Sequence, residues 1–179
     1  MEKYIAFLRG INVAGHRSIK MDDLKKLHIE MGHRNVVTFL QSGNVIFECT
    51  LKKREKLIRE IEDKYKEKLN FDVDVIICNV PEIFKIAREC PYTQAVNNDT
   101  KLIHVVQLSD IPQGYLVSEL MQHEGPEEKQ INGNILYVYY TEGAGRSKFN
   151  LSYIERTLKV RGTARNWNTI TRLLDLVAE

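Results

Sequence analysis

The stretch Val36-Val37-Thr38-Phe39-Leu40-Gln41-Ser42-Gly43-Asn44-Val45-Ile46-Phe47 sets two β-rich runs, 36–40 and 45–47, around a glycine followed by asparagine. That combination suits a tight hairpin, because glycine and asparagine enter the left-handed region at little cost. Working outward, the apolar run Tyr4-Ile5-Ala6-Phe7 predicts a strand over 4–9. Met21, Leu24, Leu27 and Met31 then recur at helical spacing up to Gly32, a C-terminal stop signal. Asp22 and Asp23 complement the helix dipole in the first turn. On the other side of the hairpin, Leu57, Ile61, Tyr65 and Leu69 share one face of a helix predicted over 51–69, and a strand follows at 73–78. The order is β-α-β-β-α-β, the ferredoxin-like pattern in which helices cover one face of an antiparallel sheet.

The second half is similar. A short helix at 81–90 and a loop at 91–100 lead to a strand at 102–108 and a helix at 112–123. A hairpin turns at Asn132-Gly133 or Gly133-Asn134, pairing 128–131 with 135–141, and helices at 147–160 and 166–178 finish the chain. The expected fold class is α+β, with two ferredoxin-like α/β-sandwich subdomains and mainly antiparallel sheets. Residues 1–79 form the first; residues 80–179 form a related unit ending in two helices, its last strand replaced by a helix. A single continuous sheet is the alternative.

The 179 residues are 43% hydrophobic and 28% charged, which describes an ordinary globular protein. Apolar runs are strand-length, so no membrane partner is expected. The first residues resemble no secretory signal, and three cysteines without CxxC spacing suggest neither disulfides nor zinc, so a cytoplasmic location is expected. Cys78 reads as inert core and Cys90, beside Pro91, as a thiol open to solvent. The five histidines show no HxxxH or HExxH spacing, so no metal is expected.

The net charge of +2 hides an asymmetry. Residues 143–172 hold seven basic residues and one acid, a balance of +6, whereas 80–142 hold four basic and nine acidic, a balance of −5. A clustered positive field attracts anions. By contrast, the mixed charges of 52–68, such as Glu55 with Arg59 and Glu62 with Lys66, fit i,i+4 pairing on a solvated face.

Three loops carry candidate binding residues. The first is Leu8-Arg9-Gly10-Ile11-Asn12-Val13-Ala14-Gly15, followed by Arg17 and Lys20. Its glycine spacing invites comparison with GxxxxGK[ST], which fails at His16 and Arg17; no GxGxxG exists either, so no nucleotide cofactor is expected. Arg9, Asn12, Arg17 and Lys20 could bind an anion, or the glycines could simply permit a tight crossover. The second loop, Glu142-Gly143-Ala144-Gly145-Arg146-Ser147-Lys148, offers Arg146 and Lys148 to an anion and Ser147 as a helix cap. The third, Arg161-Gly162-Thr163-Ala164-Arg165-Asn166-Trp167, offers Arg161, Arg165 and Asn166, with the single tryptophan expected in the core.

Taken with Leu40-Gln41-Ser42-Gly43-Asn44-Val45-Ile46-Phe47, Gly145-Arg146-Ser147-Lys148-Phe149 and Thr163-Ala164-Arg165-Asn166-Trp167-Asn168-Thr169, the first loop resembles the bacterial family of domain of unknown function 1697. The resemblance implies two ferredoxin-like subdomains and supplies no reaction. Members usually carry a second glycine where this chain has Ala14. No catalytic motif is present, so the leading expectation is a module binding an anionic partner, a nucleic acid or a phosphorylated small molecule. The RNP signatures of RNA-recognition sheets are matched poorly by strands 4–7 and 44–47. The alternative is an enzyme with an anionic substrate in a crevice between subdomains, held by Arg9, Asn12, Arg146 and Arg165.

Overall fold

A computed structural model describes residues 1–12, 17–50, 53–93 and 99–178. The start of the helix expected at 51, the centre of the first loop at 13–16 and the loop positions 94–98 lie outside the described residues. The chain divides into two compact units, Met1–Glu82 and Ile83–Glu179.

The first unit runs β1 (Glu2–Leu8), α1 (Met21–Glu30), β2 (Arg34–Phe39), β3 (Asn44–Cys49), α2 (Arg54–Leu69) and β4 (Val75–Asn79), and the start of α3 (Val80–Arg88) completes it. Its four strands are ordered β2-β3-β1-β4, every neighbour antiparallel. Strand period and helix period explain the core. Tyr4, Ala6 and Leu8 alternate along β1, as do Val45 and Phe47 on β3 and Val75 and Ile77 on β4; Leu24 and Leu27 of α1 and Leu57, Ile61 and Tyr65 of α2 cover them. Glu62 fastens helix to sheet, its Oε1 accepting from the Val75 N–H at 2.9 Å. Lys66, expected to pair with Glu62, lies 3.0 Å from Asp72. The helix ends at Asn70, whose N–H still donates to the Lys66 carbonyl and whose left-handed φ of 59° turns the chain out of the helix.

The hairpin that decided the fold closes on Gly43, with φ +80°. A Cβ there would stand 2.6 Å from Ile11 Cδ1 and 2.8 Å from Leu8 Cβ, so glycine is required by both space and backbone.

In the second unit, the rest of α3 precedes β5 (Ile103–Leu108), α4 (Gly114–Met121), β6 (Glu128–Asn132), β7 (Ile135–Tyr139), α5 (Leu151–Leu158), β8 (Gly162–Asn166) and α6 (Trp167–Ala178). The sheet order is β6-β7-β5-β8, again antiparallel throughout. This corrects the expectation of a missing last strand. Residues 162–166 pair with β5 from His104↔Asn166 to Leu108↔Gly162, so this unit too follows β-α-β-β-α-β, with α6 added. The β6–β7 hairpin turns on Gly133-Asn134, with φ +61° at the glycine. Val106 and Leu108, Leu116 and Leu120, Leu136 and Val138, and Ile154 and Leu158 pack into one core with Phe149. Along α6, Trp167, Ile170, Leu173 and Val177 are buried at helical spacing. Both sheets are thus antiparallel and helix-covered, an α+β architecture. No described helix is long and apolar enough to cross a membrane.

Candidate functional site

Two of the four candidate residues of the first loop, Arg9 and Asn12, are engaged in the fold. Arg9 Nη1 donates to Asp74 Oδ2 at 3.2 Å, across the start of β4. Asn12 adopts φ 54° and staples its loop: Nδ2 donates to the Ile19 and Gln41 carbonyls at 3.1 and 2.8 Å, while Oδ1 accepts from the Ile19 N–H at 2.8 Å. Together with Ile11 against Gly43, these bonds lock the first two quoted motifs into one joint. Arg17 and Lys20 are exposed, Lys20 occupying the position that starts α1.

In the third loop, Arg165 is buried, its Nη1 donating to Thr163 Oγ1 and to the Ala164 carbonyl at 2.8 and 2.9 Å. Desolvation lowers its pKa to about 10. Asn166 caps α6, its Oδ1 accepting from the N–H and hydroxyl of Thr169. Trp167 is buried, as its aromatic area favours. Arg161 is exposed. Cys90, expected to face solvent, is buried, and burial pushes its thiol pKa up; Cys49 and Cys78 are buried as well.

The second loop borders a cleft. Gly143 takes φ +89°, residues Ala144–Arg146 form one 3-10 turn, and α5 begins only at Leu151. Ser147 is not its cap: Asn150 is, with Oδ1 accepting from the Tyr153 N–H at 3.0 Å. The Ser147 hydroxyl instead accepts from the Phe149 N–H and donates to Glu127 Oε1. These bonds hold the loop over a cleft of about 190 Å³, walled on one side by 123–127 and on the other by Tyr140, Glu142 and Gly143 together with 146–148. Arg146 and Lys148 stand exposed at its rim.

Sequence reasoning missed the cleft's floor. Glu127 is only 7% exposed, and its Oε2 has no hydrogen-bond partner among the described residues. A Cβ on Gly125 would lie 2.2 Å from that oxygen, so glycine lets the carboxylate sit where it does. Beside it the Tyr140 hydroxyl donates to the Phe149 carbonyl at 2.8 Å, and burial, aided by the Glu127 charge, raises its pKa to about 12.

A groove lined by His123, Lys148, Asn150, Ser152, Tyr153 and Arg156 adjoins the cleft, with His123 and Lys148 facing both. Its aromatic wall is ordered: His123 lies 4.8 Å from Tyr153 and 5.1 Å from Phe149, centroid to centroid, and the Arg156 guanidinium stands 5.6 Å over Tyr153. Lys129 fixes the start of the 123–127 wall by donating to the His123 carbonyl at 2.8 Å. The arrangement can receive an anion: Lys148 and, from the last turn of α5, Arg156 line the groove together with the α5 cap Asn150, and no carboxylate lines it.

Fold and site together define an α+β protein with an open, mixed-charge cleft and groove in its second unit. The chain belongs to the family described as protein of unknown function DUF1697, whose model matches residues 1–137. The Gly145–Lys148 and Thr163–Thr169 motifs therefore lie beyond the matched residues. A solved structure of a conserved bacterial protein from Streptococcus pneumoniae, SP0830, is similar over 100% of this chain and 99% of that one, with a TM-score of 0.77 at 16% identity. That likeness concerns the fold. No curated protein matches the chain.

Proposed function

We propose that the protein binds a small phosphorylated ligand in the groove of its second unit, with Lys148 and Arg156 on the anion and Arg146 beside them. The observation that supports this most is the groove's lining of two cations and two aromatic rings beside α5, from its cap Asn150 to Arg156 in its last turn, without an acid. Partial positive charge on the first N–H groups of a helix favours an anion there. Arg supplies a forked donor and Lys a mobile point charge, a pairing suited to a phosphate group.

Of the two anionic partners expected from sequence, the small ligand fits better than a nucleic acid. Glu124, Glu127 and Glu142 line the adjoining cleft and would oppose a polyanion continuing past Lys148. Isothermal titration at low salt with pyrophosphate, and separately with a short single-stranded oligonucleotide, tests the reading. Pyrophosphate should bind, and the K148A/R156A double variant should weaken it at least about tenfold, the loss of more than one charge-assisted hydrogen bond. Binding of the oligonucleotide in preference to pyrophosphate, or pyrophosphate binding untouched in the double variant, would contradict it.

A further inference from the structure

The cleft beside the groove has the wrong charge for a second phosphate. Three carboxylates, Glu124, Glu127 and Glu142, line it against two cations, Arg146 and Lys148. Glu127 is the deepest of the acids named, with one carboxylate oxygen taken by the Ser147 hydroxyl and the other without a partner among the described residues. A buried carboxylate oxygen without a donor is costly, and a donor that reaches it is correspondingly well rewarded. Gly125 keeps the carboxylate in place by lacking a side chain.

Resting on the anion reading of the groove, we infer that the ligand is a small zwitterion: its phosphate lies on Lys148 and Arg156, and its protonated amine enters the cleft toward Glu127. His123 and Lys148 line both spaces, so one small molecule can occupy both. The ammonium supplies the donor that Glu127 lacks, and Glu124 and Glu142 add to the field that favours it. The mixed charge also selects: an anion without the amine gains only the groove. Because Glu127 is buried, only 7% exposed, the ligand is a freely diffusing compound rather than a headgroup fixed in a bilayer.

Calorimetric titration of the full chain with phosphoethanolamine and with ethyl phosphate, which differ by the amine, tests this. The wild-type protein should bind phosphoethanolamine at least about tenfold more tightly, the contribution of one charge-assisted hydrogen bond. Both E127Q and G125A, the latter displacing the carboxylate without altering its charge, should bring the two affinities to within about twofold. K148A/R156A should weaken both compounds alike. Equal wild-type affinities overturn the amine assignment and leave the phosphate reading standing, whereas binding of neither removes both. A preference that survives in folded G125A and E127Q proteins would also overturn the assignment to Glu127. Vesicles containing phosphatidylethanolamine should leave the protein in the supernatant; co-sedimentation would overturn the free-ligand assignment.

Discussion

Gly43 and His28 show how single residues set conditions that the rest of the first unit must meet. At Gly43 a methyl group would meet Ile11 and Leu8 side chains at 2.6 and 2.8 Å while the backbone sits at φ +80°. Gly43→Ala should therefore cost about 3 kcal/mol, combining the left-handed penalty of an L-residue with overpacking. Urea unfolding measures it; a loss under about 0.5 kcal/mol, the range of ordinary surface changes, would refute the packing argument. His28 is fully buried between Tyr65, whose hydroxyl meets its Nε2, and His33, whose Nδ1 lies 3.0 Å from its own. Burial first, and the His33 charge second, lower its pKa to about 3. Unfolded, the imidazole binds a proton below about pH 6.5, while folded it stays neutral down to about 3. The unfolded state thus holds the extra proton in that window, and stability falls as pH drops through it. Burial shifts His104 in the same direction. Unfolding midpoints compared at pH 7.5 and 5.5 should show the loss, and His28→Gln should flatten the difference.

Among the elements, those with a strong apolar run or helical recurrence were legible and those held by tertiary contacts were not. Strands β1, β3 and β4 follow from short apolar runs and helices α1 and α2 from the three- and four-residue recurrence of apolar side chains. Strand β8, Gly162-Thr163-Ala164-Arg165-Asn166, carries no large apolar residue, and its buried arginine donates to Thr163 and Ala164 of the same strand. Its one available signal was comparative, since the first unit's order calls for a strand at that point. The start of α5 was misplaced for a local reason: Ser147 and Asn150 are both good caps, and only the bond from Ser147 to Glu127, twenty residues away, removes the first from competition. At this scale, Asn166→Ala should lower stability by about 1 kcal/mol through the lost α6 cap. Glu62→Ala should cost about 1–3 kcal/mol by leaving the Val75 N–H at the α2–β4 junction without that acceptor. Thermal or urea unfolding reads both.

Across the whole molecule, two units share a strand order although the sequence shows no residue-level repeat. The core demands only that apolar side chains fall on the right face, and many residues satisfy it. The charge pattern was legible in the same coarse way. Of the seven basic residues of the +6 block over 143–172, Arg165 is buried, Arg172 pairs with Asp175, Lys159 and Arg161 line neither space, and Arg146, Lys148 and Arg156 stand at the cleft and groove. Glu127 was invisible because nothing in Gly125-Pro126-Glu127-Glu128 marks one acid as buried; burial is a property of the fold. Since the groove cations are exposed, pyrophosphate affinity should fall several-fold between about 50 and 200 mM salt through screening. Affinity independent of salt would argue against a charge-led site.

The most direct test of the anion groove is a pyrophosphate titration followed by amide chemical shifts over the full chain. The groove predicts saturable shifts concentrated in residues 123–127 and 146–156, abolished in K148A/R156A. Shifts centred on Arg9, Arg17 and Lys20 instead, or no saturable shifts, would contradict it.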